Sequence, residues 1–147
     1  MTRLTRGRRR TFSVVVGLTM IGALAIGVSQ ALADHSHGHA VANVYNDKVN
    51  CGGPSKNRVD GTATFDLKGT TLTVSVSMHN AVAGDYDLLL FHGGCNRIGP
   101  NVKFKVDASG HGAATLVADV SGAGRSFFIN AANNTEEMGN ESDTVKL

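Results

Sequence analysis

Two neighbouring stretches of the chain alternate strictly between apolar and polar residues. In the first, the apolar positions are Val59, Gly61, Ala63, Phe65 and Leu67, and in the second they are Leu72, Val74, Val76 and Met78. A period of two places one set of side chains on a single face of a β-strand. Lys68 and Gly69 supply a short turn between the stretches, which predicts an antiparallel hairpin. Its register is strongly specified, because a slip of one residue would expose the whole apolar set.

The rest of the chain after residue 40 has the same character. We predict further strands within 41–49, over 86–91, 102–106 and 111–120, from 127, and over 144–147. Asp107 to Gly110 reads as a turn, and residues 133–143 read as a polar, mobile segment. No convincing helix follows residue 33. Seven or eight short strands with Gly-rich turns predict an all-β domain, folded as a two-sheet sandwich or a flattened barrel.

The first 33 residues have the layout of a secretory signal peptide. Five arginines precede an apolar run over residues 12–28, and Ala31-Leu32-Ala33 forms a small-x-small cleavage site. We therefore predict a signal-peptide helix in 1–33, and a product that is secreted, periplasmic or bound at the cell surface. Arg9-Arg10-Thr11-Phe12 leaves two export routes open, the twin-arginine route and the ordinary secretory one. An uncleaved membrane anchor is the third alternative and the only membrane contact we expect.

Removal of the signal changes the charge of the protein. Five of the 14 Lys and Arg residues lie in residues 1–33 and none of the 12 Asp and Glu residues does, so the formal charge falls from +2 to −3. No basic stripe remains, which argues against a nucleic-acid partner. Residues 34–40 show no apolar periodicity and read as a His-rich flexible tail. Residues 41–147 then form one β-domain, with an unknown protein or surface partner.

The chain has two cysteines, Cys51 and Cys95. In an exported domain two cysteines and no others are expected to pair, and we favour one structural disulfide between them. The alternative is a pair of metal-binding thiolates, although neither cysteine has the close spacing to a second Cys or His that zinc sites show.

Several segments of the chain resemble the copper/zinc superoxide dismutases. Gly61 to Phe65, Leu72 to Val76, and Ala83 to Tyr86 leading to Phe91-His92-Gly93-Gly94-Cys95 resemble the first half of that family. Later, Val106 to Gly112 resembles the family's "ADG" turn and Phe128-Ile129-Asn130-Ala131 its "VIHA" strand. The resemblance spans roughly residues 41–135. It implies an eight-stranded Greek-key sandwich, so the predicted fold is of the superoxide dismutase type or of the immunoglobulin type.

The metal ligands of that family do not carry over to this chain. Aligned on Cys95, the family's His-x-His falls on Leu88 and Leu90, and the histidine of "VIHA" is Asn130. The loop that supplies the zinc ligands is reduced to residues 96–101. Cys51 also precedes the hairpin, whereas the family's second cysteine lies near the C-terminus. A copper site needs several imidazoles converging on one ion, so we expect the fold without the enzyme.

Six histidines are spread over the exported chain. His35, His37 and His39 alternate with Ser36 and Gly38, so an extended tail would place all three imidazoles on one side. Short His-rich tracts bind Cu(II), Ni(II) and Zn(II). Cleavage after Ala33 would also make His35 the second residue, next to a free amine. The simpler alternative is a solvated tail that binds nothing.

The other histidines read as surface or loop residues. His92 is the best candidate for a further ligand, because it flanks the loop that contains Cys95 and could approach the tail. The candidate metal ligands are therefore His35, His37, His39 and His92, with copper or zinc as the ion.

The sequence contains no Gly-x-Ser-x-Gly nucleophile elbow. We expect a non-catalytic, secreted binding or structural module. A metal-binding protein of the periplasm or exterior is the alternative, and superoxide dismutase activity is a distant third.

Overall fold

A computed structural model describes residues 37–47, 53–54, 56–133 and 139–147. These residues form nine β-strands, which pair antiparallel throughout, and contain no helix. The strands are β1 (His37–Asp47), β2 (Val59–Lys68), β3 (Thr71–Met78), β4 (Gly84–His92), β5 (Asn96–Val106), β6 (Gly112–Asp119), β7 (Ser126–Asn133), β8 (Gly139–Ser142) and β9 (Val145–Lys146). The all-β prediction is confirmed, and the signal-peptide helix predicted in 1–33 lies outside the described residues. Within the described part of the chain, no helix is long and apolar enough to cross a membrane.

The strands form one curled sheet in the order β5-β4-β7-β8-β1-β2-β3-β6, and β9 pairs with the start of β7. The two end strands of this path, β5 and β6, pack against each other. A tight turn joins them, in which the Asp107 N–H donates to the His111 carbonyl at 2.8 Å. The eight strands of this path therefore form an almost closed, barrel-like sheet.

The interior of the barrel is filled by the apolar set that the alternation predicts. Phe65, Leu72, Leu88, Leu116 and Ile129, from five different strands, have no exposed surface. Burying one such side chain contributes roughly 1.5–3 kcal/mol. The apolar residues at every second position therefore form a single core, and the polar residues between them lie on the outside.

The predicted hairpin of β2 and β3 is confirmed with its register. Phe65 lies opposite Val74 and Leu67 opposite Leu72, so the apolar faces coincide. Gly61 lies where the two strands approach closely. A Cβ at this position would collide with the Ser77 carbonyl oxygen, which explains a glycine inside an otherwise regular strand.

Two polar segments, one predicted as part of a flexible tail and the other as part of a mobile segment, belong to the sheet. β1 begins at His37, so the end of the predicted tail, residues 37–40, pairs with β2. Gly139–Ser142 was predicted to be mobile but forms β8, whose four residues are all buried. In both cases hydrogen bonds to a neighbouring strand stabilise segments that lack apolar periodicity.

A third difference concerns residues 96–101, which the sequence analysis treats as a shortened loop. They form the first half of β5, opposite the end of β4, with Asn96 paired to His92. Pro100 is exposed within this half. Proline is tolerated in a strand where its missing N–H is not needed by a neighbour, as at an edge or a bulge.

Candidate functional site

The outward side chains of β1, β2, β3 and β6 form a regular surface, which we call the outer face. The register shift between Val44 and Tyr45 in the β1–β2 pairing lies beyond this face, so its residues stand in straight rows across four strands. The rows are Asn43–Thr62–Ser77–Ala113, Val41–Thr64–Ser75–Thr115, His39–Asp66–Thr73–Val117 and His37–Lys68–Thr71–Asp119. All of these side chains are exposed or half-buried, and most are small and polar. The histidines and charges lie together at one end of the face.

His39 and Asp66 form the closest polar contact on the outer face. His39 Nδ1 lies 2.6 Å from Asp66 Oδ1, and the two side chains are 64% and 54% exposed. An ionised carboxylate only accepts hydrogen bonds, so Nδ1 carries the proton and donates. In the neutral imidazole this leaves the lone pair on Nε2. His39 is therefore oriented with its metal-binding nitrogen available.

His37 lies two residues before His39 on the same side of β1 and is exposed. The prediction that alternate histidines face one side is confirmed for this pair, whereas His35 lies outside the described residues. The cross-strand neighbour of His37 is Lys68, whose positive charge opposes a bound cation. The two histidines therefore have opposite electrostatic neighbours, a carboxylate beside His39 and an ammonium beside His37.

The other predicted ligand, His92, does not join this pair. It ends β4, is half-buried, and pairs with Phe127 and Asn96. Among the described residues, no three His, Cys, Asp or Glu side chains are grouped so that they could hold a metal ion. A complete metal site would therefore need ligands from outside the described residues or from solvent.

Cys95 lies exposed in the turn between β4 and β5. Its predicted partner, Cys51, lies outside the described residues. The Cys51–Cys95 disulfide therefore stays a prediction.

The positions aligned with the dismutase copper ligands do not fit a metal. Leu88 and Leu90 are fully buried members of the core, so a histidine at either position would point into the apolar interior. Asn130 is also fully buried, and both atoms of its amide group lack a hydrogen-bond partner among the described residues. An amide and two aliphatic side chains cannot replace the imidazoles that copper needs.

Asp60 lies in a buried polar network that the sequence pattern does not predict. The Asp60 carboxylate has no exposed surface and accepts from Arg58 Nε at 2.6 Å and from Arg58 Nη2 at 3.0 Å. It also accepts from the amides of Asn46 and Asn140, at 3.2 and 2.8 Å. The network ties β1, β2 and β8 together. The hydrogen bonds that the guanidinium donates to Asp60, together with the charge of that carboxylate, raise the pKa of Arg58.

One signal for this network was present in the sequence. Arg58 and Asp60 are two residues apart, and side chains at that spacing lie on the same side of a strand. Asn140 comes from 80 residues further along the chain, and nothing in the local pattern indicates that it returns to this point. Local spacing could therefore suggest the ion pair but not its burial.

A second polar cluster joins the segment before β2 to the β8–β9 connection. Lys56 Nζ lies 2.8 Å from Asp143 Oδ1 and 5.8 Å from the ring centroid of Tyr45. Tyr45 donates its hydroxyl hydrogen to Asp143 Oδ2 at 3.1 Å. The hydrogen bond to Asp143 raises the pKa of Lys56. Each polar group here has a protein partner, so we assign the cluster a structural role.

One described cavity lies beside the loop between β6 and β7. Its volume is about 410 Å³, and it is lined mainly by loop residues 120–125 together with Leu67 and Phe127. Arg125 is the only charged side chain among its lining residues. The cavity therefore offers shape but no convergent acid, base or metal ligands.

Comparisons of the chain with protein-family models, with curated proteins and with solved structures found no match.

Proposed function

We propose that the chain is an exported, non-catalytic β-domain that acts as a binding or structural module outside the cytosol. The layout of residues 1–33 supports export. The domain resembles a copper/zinc superoxide dismutase in sequence and has eight principal strands in one nearly closed sheet. We infer from this that it has the Greek-key fold of that family.

One observation carries the non-catalytic part of the proposal. Leu88 and Leu90, at the aligned ligand positions, have no exposed surface and pack in the core. Side chains used in this way stabilise the fold and cannot reach a reacting molecule. The positions that align with metal ligands in the superoxide dismutases are therefore used for core packing in this chain.

The outer face supports a binding role. The pairing of its rows holds the backbone of four strands in place, so little backbone ordering entropy remains to be lost on binding. Val41 and Val117 are 60% and 52% exposed on this face, among mostly small polar neighbours. A rigid, mildly apolar surface of this kind suits contact with another protein or a cell-surface polymer.

The proposal is tested on the exported protein loaded with Cu(II) and Zn(II). We expect mass spectrometry to place its N-terminus at Asp34. We expect superoxide turnover per copper no faster than that of the same ion on a short His-x-His peptide. The matched control is the double variant H37A/H39A, which should no longer bind copper at these two exposed positions. Turnover well above the peptide rate would contradict a non-catalytic domain, and an intact 147-residue chain would contradict cleavage.

A second candidate function is copper or zinc binding outside the cytosol through the N-terminal histidines. The specific observation that favours it is the His39–Asp66 hydrogen bond at 2.6 Å, with His37 on the same side of the strand. Deleting residues 34–39 would remove the start of β1 together with the ligands. Single substitutions are therefore the cleaner test.

A further inference from the structure

We propose that His37 and His39 form a two-imidazole chelate for Cu(II) or Zn(II) on the outer face of β1, and that Asp66 is its positioning residue. The inference rests on the metal-binding candidate above and assigns the ion to two described side chains and one supporting carboxylate. Water completes the coordination of the ion.

The strand holds the two imidazoles at a usable spacing. Residues two apart in a strand are separated by about 6.7 Å, and their side chains point to the same side. Metal–nitrogen bonds of about 2.0–2.1 Å then require both exposed rings to lean towards an ion between them. Both positions are paired with β2, His37 with Lys68 and His39 with Asp66. The sheet therefore fixes the spacing before an ion arrives, which lowers the entropy cost of binding.

Asp66 gives His39 the protonation pattern that a ligand needs. Its Oδ1 lies 2.6 Å from His39 Nδ1 and accepts the hydrogen of that nitrogen, which leaves the Nε2 lone pair for a metal ion. Histidines that bind metals commonly donate their other ring nitrogen to a carboxylate, and loss of that partner typically costs 10- to 100-fold in affinity or activity. Asp66 also places a negative charge close to the bound cation.

Lys68 acts in the opposite direction. It lies across from His37 in the register, and its ammonium repels a divalent cation bound there. The residue is exposed, so solvent and salt screen the repulsion without removing it. A neutral residue at position 68 should therefore strengthen metal binding, an effect that has no counterpart if the ion is held elsewhere.

The first test titrates the exported chain, residues 34–147, with Cu(II) alone and with Zn(II) alone, against a competing chelator. We expect one ion per chain. We expect H37A and H39A each to weaken binding at least 10-fold, and K68Q to strengthen it severalfold. The matched control is H79A, which removes an exposed histidine at the end of β3 and should leave the affinity unchanged.

The second test isolates the positioning role of Asp66. D66A should lose about 10- to 100-fold in affinity, and D66E should recover part of that loss. The electron paramagnetic resonance spectrum of bound Cu(II) should change in D66A, because the orientation of one nitrogen ligand is released. D85A removes an exposed strand aspartate on β4 and serves as the control for a generic loss of charge.

A third variant moves the pair along the strand. Val41 lies two residues after His39 on the same face and is 60% exposed, so it should accept a histidine without loss of folding. H37A/V41H should regain most of the affinity that H37A loses. Thermal melts of all variants check that the fold is kept.

The outcomes separate this inference from the function on which it rests. Stoichiometric binding that depends on His35 but not on His37, Asp66 or Lys68 would place the ion at the terminal amine, which overturns the inference and leaves metal binding intact. Weak, non-stoichiometric binding that none of H35A, H37A and H39A changes would overturn both. Loss in H37A, H39A and D66A, with gain in K68Q and no change in H35A, supports the inference.

Discussion

Asp60 is a carboxylate with no exposed surface. Moving an ionised group out of water costs several kcal/mol, and only good geometry with several hydrogen bonds offsets that cost. Asp60 meets the condition with two bonds from Arg58 and one each from Asn46 and Asn140. Because these donors come from β1, β8 and the entry to β2, the carboxylate specifies where three segments meet.

We expect Asp60→Asn to lower the free energy of unfolding by about 3 kcal/mol, since it removes the partner of Arg58 and leaves amides facing one another. Urea unfolding of the exported chain measures this. The matched control is Asp66→Asn on the same strand, which is exposed and should change the free energy by less than about 0.5 kcal/mol. Equal losses in the two variants would show that the Asp60 network adds no stability.

At the residue scale the sequence predicted the core well and the polar interior poorly. Phe65, Leu72 and Val74 were assigned to the inner face by alternation alone, and all three are fully buried. Burial of Asp60 and Asn130 could not be read in the same way. Their surroundings come from distant parts of the chain, and the polar residues themselves give no sign that they are covered.

At the element scale, hydrogen-bonded pairing with a neighbouring strand sets the strand boundaries that the local sequence pattern does not predict. The β2–β3 hairpin was predictable because both its strands alternate and its turn is short. β1 and β8 were not predictable in full, since the His-rich start of β1 and the sequence Gly139–Ser142 carry no apolar period. Both are held by strands that are already in place. The alternation of histidines correctly predicts that His37 and His39 lie on one side of β1. The local sequence does not predict Asp66 as the neighbour of His39.

The turn between β5 and β6 depends on the Asp107 carboxylate. Its Oδ1 accepts from the Ser109 hydroxyl at 2.6 Å, the Ser109 N–H at 2.8 Å and the His111 N–H at 3.1 Å. The hydrogen bond from the Ser109 hydroxyl, followed by the one from the His111 backbone, lowers the pKa of Asp107 below its ordinary value of 3.8. Gly110 completes the turn with a φ of 84°, which favours glycine.

This lowered pKa gives a pH-dependent prediction. A carboxyl group with a lower pKa in the folded than in the unfolded state stabilises the fold above the unfolded pKa and loses that effect as pH falls through the folded one. Asp107→Ala should therefore melt at a lower temperature than the wild type at pH 7, and the gap should close as the pH falls through the lowered pKa of the Asp107 carboxyl. Thermal melts between pH 2 and 7 measure it, with Asp85→Ala as the control. A gap that is independent of pH would contradict the assigned role of the carboxylate.

At the scale of the whole molecule, local signals specified an all-β domain but not how its sheet closes. The contact of β5 with β6 joins the two ends of the strand order, and the insertion of β8 between β7 and β1 completes the circuit. The first contact joins consecutive strands across a tight turn, whereas the second pairs β8 with β1, about 95 residues earlier in the chain. The pairing of β1 with β2 places His39 beside Asp66, 27 residues later in the chain, so the candidate site depends on the topology as well as on its own residues.

The predicted Cys51–Cys95 disulfide acts at the same scale, because it would enclose β2, β3 and β4 in one covalent loop. In the chain-entropy account, closing a loop of this length stabilises the fold by about 4 kcal/mol. We expect the exported chain to show no free thiols in denaturant, and dithiothreitol to lower its urea midpoint. The double variant C51A/C95A should unfold at the midpoint of the reduced wild type and be insensitive to dithiothreitol. Two titratable thiols, or a urea midpoint that reduction does not change, would contradict the cross-link. The stability of the domain would then come from the core and the Asp60 network.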